Sequence, residues 1–288
     1  MKIAVASGKG GTGKTLVATS LALALERAVL VDCDVEEPNV HLLLHPKWEK
    51  TEKVELLFPE IDLDRCTFCR ECQRVCRFGA LVVLLNQVMT FYELCHSCGG
   101  CALVCPMKAI KEVKKKVGEI RLGKRDGIVL YEGRLDIGQP MPSPVIKEVK
   151  KKPGTDKLPI IYDAPPGTSC PVIHSLKGAD FALLVTEPTP FGLNDLKLAV
   201  GVAQQLGIPC GIIINRVGIG DDRVHNYCRE QGLEILLEIP EDRKIAEGYS
   251  RGLTLAELYP EYKERFLEVY QKIAQRVERD VGQAVSGN

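Results

Sequence analysis

The sequence has no charge imbalance. Lys and Arg number 38 and Asp and Glu number 38 in 288 residues. Without an excess of one sign there is no global field to recruit nucleic acid or an anionic membrane. No apolar run approaches the roughly 20 residues that a spanning helix needs. The opening residues, MKIAVASGKGG, run from one lysine through a short apolar strand into glycines, without the longer apolar stretch and small-residue cleavage site of a signal peptide. Scattered cysteines of the kind a secreted disulfide scaffold carries are also missing. Eight of the twelve cysteines lie between Cys66 and Cys105, and only Cys33, Cys170, Cys210 and Cys228 stand elsewhere. Clustering of this kind indicates metal and a reducing, cytoplasmic location. Hydrophobic content of 45% allows a sizeable core, and the length suits one large domain or two smaller ones.

Short apolar runs rich in β-branched residues recur along the chain: Lys2–Ser7, Ala28–Asp32, Leu158–Asp163, Phe181–Thr186, Cys210–Asn215 and Ile235–Pro240. They read as interior parallel strands covered on both faces. Helical patterns lie between them at Lys14–Glu26, Cys170–Gly178, Phe191–Leu206 and Arg223–Gln231, and a last one begins at Glu261. This alternation predicts an α/β fold with a doubly wound, mostly parallel sheet.

The segment from about residue 61 to 113 breaks the pattern with a repeat of its own. Asp64–Leu81 matches Glu93–Ile110 at a shift of 29 residues, as from Cys66 to Cys95. A self-similar insert reads as a separate small domain. The expected organisation is therefore a main domain over 1–60 and 114–288, interrupted by an inserted α+β domain over 61–113. Glu119–Leu122 and Ile128–Leu135 are expected to pair as a hairpin leading back to the main sheet.

Two kinds of site follow. The loop Gly8-Lys9-Gly10-Gly11-Thr12-Gly13-Lys14-Thr15 stands after a strand and before a helix. Its glycines let backbone N–H groups approach phosphate oxygens, and the helix N-terminus adds positive potential. Lys14 supplies charge to the β- and γ-phosphates, and the Thr15 hydroxyl can ligate Mg²⁺. The second site is the pair of motifs Cys66-x2-Cys69-x2-Cys72-x3-Cys76 and Cys95-x2-Cys98-x2-Cys101-x3-Cys105. Three thiolates at this spacing bind one cubane, and the fourth cysteine reaches the other cluster. Cys66, Cys69, Cys72 and Cys105 would hold one [4Fe–4S] cluster; Cys95, Cys98, Cys101 and Cys76 would hold a second. Zinc is the competing metal, although its motifs usually come as separate C-x2-C pairs.

The second lysine of the loop, Lys9, resembles the deviant P-loop of the MinD/ParA-type ATPases, a group that includes ArsA, the nitrogenase iron protein and the Mrp-like iron–sulfur carriers. The resemblance implies that Lys9 reaches the nucleotide of a partner subunit, so that ATP drives homodimerisation. Asp32 to Asn39 resembles switch I, which implies that Asp32 orients Mg²⁺-bound water and Asp34 the attacking water. Asp163-Ala164-Pro165-Pro166-Gly167 resembles switch II, which implies that Asp163 holds Mg²⁺ through water and that the Gly167 N–H meets the γ-phosphate. Asn215 resembles the family's adenine-contacting Asn, and Pro240–Asp242 is a further candidate for lining the base. The insert resembles a two-cluster ferredoxin, with Arg77 standing where that family has a proline.

By this resemblance the chain is expected to hydrolyse ATP and to hold two [4Fe–4S] clusters. ATP-driven dimerisation would gate electron transfer to an unidentified redox partner. The alternative is ATP-dependent assembly or carriage of clusters for an apo-protein acceptor. That reading is weakened by the lack of a C-x-x-C pair outside the insert. A spatial-positioning ATPase of the MinD or ParA kind is a third reading. Against it, the tail mixes Glu261, Glu264, Glu268, Glu278 and Asp280 with its lysines and arginines. No nucleic-acid partner and no membrane insertion are expected.

Overall fold

The computed structural model describes residues 1–154 and 158–286, with side chains described through residue 280. It divides into two compact units. The first comprises Met1–Glu52, Ile120–Arg134 and Pro142–Asn288; the second comprises Lys53–Glu119 and Leu135–Met141.

The strands, in chain order, are β1 (Lys2–Ala6), β2 (Ala28–Asp32), β3 (Lys47–Ile61), β4 (Leu81–Val83), β5 (Val88–Thr90), β6 (Ile110–Arg125), β7 (Ile128–Leu135), β8 (Ile160–Asp163), β9 (Phe181–Thr186), β10 (Cys210–Val217) and β11 (Ile235–Pro240). Nine of them form one sheet in the order β11-β10-β9-β1-β8-β2-β7-β6-β3. Neighbouring strands from β11 to β7 pair in parallel. Only Asp126 and Gly127 separate β6 from β7, a connection that only an antiparallel pair permits. The sheet is thus mixed and mostly parallel, as the strand–helix alternation predicted.

The core explains the order. Strands β1, β2 and β9 are buried along nearly their whole length, because helices cover both faces. Helix Lys14–Ala24 contributes Leu16, Val17, Ala18 and Leu21 to the core, and Phe266, Val269 and Ile273 of the long final helix, Glu261–Ser286, close the same cluster.

Two elements differ from the sequence reading. The sequence predicts no strand between β2 and the cysteine repeat, yet β3 runs for 15 residues. The strand of the expected hairpin at Glu119–Leu122 is in fact the 16-residue β6. Both are polar strands, KWEKTEKVELLFPEI and IKEVKKKVGEIRLGKR, and only scattered positions such as Val54, Phe58, Val117 and Ile120 are buried. Their alternation is too weak to stand out as a period of two.

In the second unit the short hairpin β4–β5 is antiparallel. The two repeats each carry one helical turn at the third cysteine, at Glu71–Val75 and Gly100–Leu103. The buried core is small: Cys72, Leu81, Val83 and Ile110, with Ile61, Phe68 and Val88 packed on it.

Candidate functional site

In the first unit, β1 ends at Ala6 and the glycine loop turns the chain into helix Lys14–Ala24. Gly13 caps that helix with φ 92°, a left-handed conformation that favours glycine, and a Cβ there would stand 2.4 Å from the Asn215 amide nitrogen. A Cβ on Gly8 would stand 2.2 Å from the Asp195 carbonyl oxygen. The loop is therefore pinned from two sides. It opens on a cavity of about 460 Å³ lined by Gly10, Gly11, Gly13, Lys14, Thr15 and Asp34, with Asn215, Pro240–Asp242 and Tyr249 farther along the wall. That volume suits a small-molecule ligand.

Beneath the cavity three carboxylates stand in one row. Parallel register sets Asp163 of β8 beside Asp32 of β2, and Asp32 beside Glu132 of β7. All three are fully buried. Asp163 accepts a 2.7 Å hydrogen bond from the Thr15 hydroxyl, while its other oxygen, Oδ1, has no partner. Asp32 folds the following loop: its carboxylate accepts the backbone N–H groups of Asp34, Asn39 and Val40 at 3.0–3.1 Å. Burial raises the pKa of Asp32 and of Asp163, and for Asp163 Lys14 and Thr15 oppose the rise. Asp34 is pushed up to about 6 by burial, with Lys14 again opposing. An orphaned, buried Asp163 oxygen beside the Thr15 hydroxyl is a donor set suited to a hard cation such as Mg²⁺.

Other residues expected at this site are placed differently. Lys9 does not line the cavity; its Nζ pairs with Glu187 at 2.8 Å. Glu187, nearly buried, is also bonded by Arg216 at 3.0 Å. Thr12 is buried, and its carbonyl accepts from the Asn215 side chain at 2.9 Å, so Asn215 ties the loop to β10 as well as lining the cavity. The Gly167 N–H donates to the Ser7 carbonyl at 3.1 Å. Sequence reasoning missed Glu187, Arg216 and Tyr249. None carries a motif; a polar residue at the end of a buried strand is the shared signal of the first two.

His41 and Trp48 belong to the far end of the carboxylate row. The Glu132 carboxylate pairs with His41 Nδ1 at 2.7 Å and with the Arg121 guanidinium, whose Nε lies 3.1 Å away. The Trp48 ring stacks on that guanidinium at 4.0 Å.

In the second unit the eight clustered cysteines sort into two cavities. Cys66, Cys69, Cys72 and Cys105 line one; Cys76, Cys95, Cys98 and Cys101 line the other. Each quartet takes three cysteines from one repeat and the fourth from the other. The backbone obeys the same repeat. Phe68, Arg70 and Gly79 have positive φ, and so do Ser97, Gly99 and Lys108, each 29 residues on. Non-glycine residues adopt this conformation only at a cost. Nearby amides are aimed at sulfur: Ala80 N–H donates to Cys76 Sγ and Ala109 N–H to Cys105 Sγ, both at 3.3 Å. Burial pushes the Cys101 thiol up to about 11 and raises Cys72 and Cys95 as well. Such thiols ionise at neutral pH only if a metal binds them. Among the described residues no group of three His, Cys, Asp or Glu side chains is placed to hold a bare metal ion; the cysteines line the two cavities. No described helix is long and apolar enough to cross a membrane.

A family model described as the CobQ/CobB/MinD/ParA nucleotide binding domain matches residues 3–255. An uncharacterised protein of Methanocaldococcus jannaschii is 33% identical over 88% of this chain and 90% of its own length. A protein named as an iron–sulfur cluster carrier, from Aquifex aeolicus, is 26% identical over 97% of this chain and 68% of its own. The septum site-determining protein MinD of Pyrococcus horikoshii, solved with Mg-ADP, shares the fold at a TM-score of 0.58 and 21% identity, covering 94% of this chain and 95% of that one. With its phosphate-binding loop, its parallel sheet and this match over most of its length, the chain belongs to the CobQ/CobB/MinD/ParA nucleotide-binding family of P-loop ATPases.

Proposed function

We propose that this ATPase is an iron–sulfur protein in which ATP binding and hydrolysis gate electron delivery to a partner. The main domain, 1–60 and 114–288, holds Mg·ATP. Lys14 neutralises phosphate charge, Thr15 and Asp163 hold the metal, Asp32 shapes the loop that carries Asp34, and Asp34 orients the attacking water. Lys9 exchanges Glu187 for the nucleotide of a second copy, so that the dimer forms only with ATP. The insert, 61–113, is of the two-cluster ferredoxin type. Its eight cysteines hold two [4Fe–4S] clusters, which supply one-electron transfer when bound.

The observation that carries this reading is the sorting of eight cysteines into two cavities, each completed by the fourth cysteine of the other repeat. Two zinc knuckles would not need that exchange. Backbone N–H groups aimed at cysteine sulfur support it further, since such bonds tune and stabilise cluster ligands.

The test is anaerobic reconstitution, analysis of iron and acid-labile sulfide, and redox titration with and without Mg·ATP. About eight iron and eight sulfide per chain are expected, as two cubanes require, with potentials that move on nucleotide binding. Bound zinc with no sulfide would overturn the assignment. Similarity to a named iron–sulfur cluster carrier keeps cluster assembly as a second reading. ATP-stimulated transfer of iron to an apo-protein, at unchanged potentials, would decide for it.

A further inference from the structure

The repeat makes each cysteine cavity an internal reference for the other. Most residues lining one cavity have a counterpart 29 residues away lining the other. Cys72 answers to Cys101, Cys105 to Cys76 and Ile110 to Leu81. The amide donors to sulfur match in the same way, Ala109 answering to Ala80 at equal length. Several paired positions nevertheless differ, Arg70 against Gly99, Glu71 against Gly100 and Val83 against Glu112 among them, and one of these differences is an uncharged hydroxyl. The first cavity is lined by Phe68, and the counterpart in the second is Ser97.

The Ser97 hydroxyl is buried and has no hydrogen-bond partner within the protein. A buried hydroxyl left unsatisfied is costly, so such groups are usually matched by a partner. Ser97 is also held with φ 52°, in the same left-handed turn as Phe68 at φ 54°. The turn is therefore common to both halves and does not itself demand a serine. A free hydroxyl on a residue that lines the cavity together with four cysteines is available to a guest with acceptor atoms. The sulfides and thiolates of a cubane are such acceptors.

Resting on the cluster assignment proposed above, we infer that Ser97 donates its hydroxyl hydrogen bond to a sulfur of the cluster held by Cys76, Cys95, Cys98 and Cys101, and so makes that cluster easier to reduce than its surroundings otherwise allow. The bond strengthens as negative charge on sulfur rises, so it favours the reduced state, and the potential goes up. Nothing equivalent acts from Phe68 on the other cluster. The hydroxyl is thereby one source of inequivalence between the two clusters. Glu112 also lines the second cavity where Val83 lines the first. Its charge acts in the opposite sense, so the hydroxyl must be isolated by substitution at Ser97 alone.

The experiment is a redox titration of the reconstituted full chain, followed by electron paramagnetic resonance, comparing wild type with Ser97→Ala and Ser97→Gly. Glycine accepts the left-handed turn without strain, so it keeps the test valid if alanine disturbs the loop. Both variants are expected to retain the wild-type iron content and both clusters, to lower the potential of one cluster, and to leave the other unchanged. Unchanged potentials in both variants, with two clusters present, would overturn the role of Ser97 and leave the cluster assignment standing. Wild-type protein that takes up no iron or sulfide would overturn the assignment, and this inference with it.

Discussion

At the scale of single residues the site is governed by how buried carboxylates are compensated. Asp34 lies at the cavity wall with its pKa pushed up to about 6 by burial, against the pull of Lys14. A carboxylate raised in the folded state is protonated there at pH values where the unfolded chain has already lost its proton. Its ionisation therefore costs the free protein stability as pH rises from about 4 through about 6. The consequence for turnover has the opposite sense. If Asp34 orients the attacking water as an anion, kcat/KM for ATP should fall about tenfold per pH unit below about 6, because that ratio reports the free enzyme. Asp34→Asn should remove this acid limb and lower kcat/KM by about 10²–10⁴-fold. A steady-state pH profile of both proteins checks it; an acid limb that survives in Asp34→Asn would assign the titration to another group. Asp32, next to Asp163 in the sheet, accepts three backbone N–H groups, whereas Asp163 accepts the Thr15 hydroxyl and keeps one oxygen without a partner. Both aspartates end buried strands, so the local sequence alone does not separate these hydrogen-bonding parts.

At the scale of elements, the nucleotide half of the site is legible in the sequence because strand, glycine turn and helix leave unmistakable local signals. The loop from Gly8 to Thr15 and the acidic residues ending β2 and β8 all carry such a signal. The attachment of the polar strands does not. Glu132 reads as one polar residue inside an apolar strand, yet it is fully buried, paired with Arg121 of β6 and hydrogen-bonded with His41. Those partners are 11 and 91 residues away and carry no pattern. The same holds for Lys9, whose partner Glu187 comes from the end of β9, far along the chain. Burial makes the first pairing consequential. Removing one member of a buried pair leaves a charge without compensation, at a typical cost of about 3–5 kcal/mol. Arg121→Met keeps a chain long enough to pack under Trp48 and removes the charge. It should lower the stability of the first unit by about that amount, measured by urea denaturation, while Arg121→Lys recovers part of the loss. A change below about 1 kcal/mol, the scale of an exposed pair, would mean that Arg121 is not the counter-charge Glu132 depends on.

At the scale of the whole molecule, the two units differ in what stabilises them. The first has an extended apolar core of strands and helices. The second has a much smaller buried cluster, Cys72, Leu81, Val83 and Ile110, with cysteines Cys101 and Cys105 packed against it. A unit of this size rarely folds on so few apolar contacts without disulfides or metal, and the described cysteines are all free. Where a bound group supplies the missing free energy, its binding is the folding free energy of that unit. Replacing all eight clustered cysteines by serine should therefore act unevenly. The variant is expected to bind no iron, to lose protease resistance between residues 66 and 105, and to keep both ATP binding and the melting transition of the nine-stranded sheet. Anaerobic calorimetry and limited proteolysis, read side by side with wild type, distinguish this from its alternative. If the sheet melts early together with the cysteine unit, the two do not fold independently, and the metal-bearing unit is part of what holds the ATPase together.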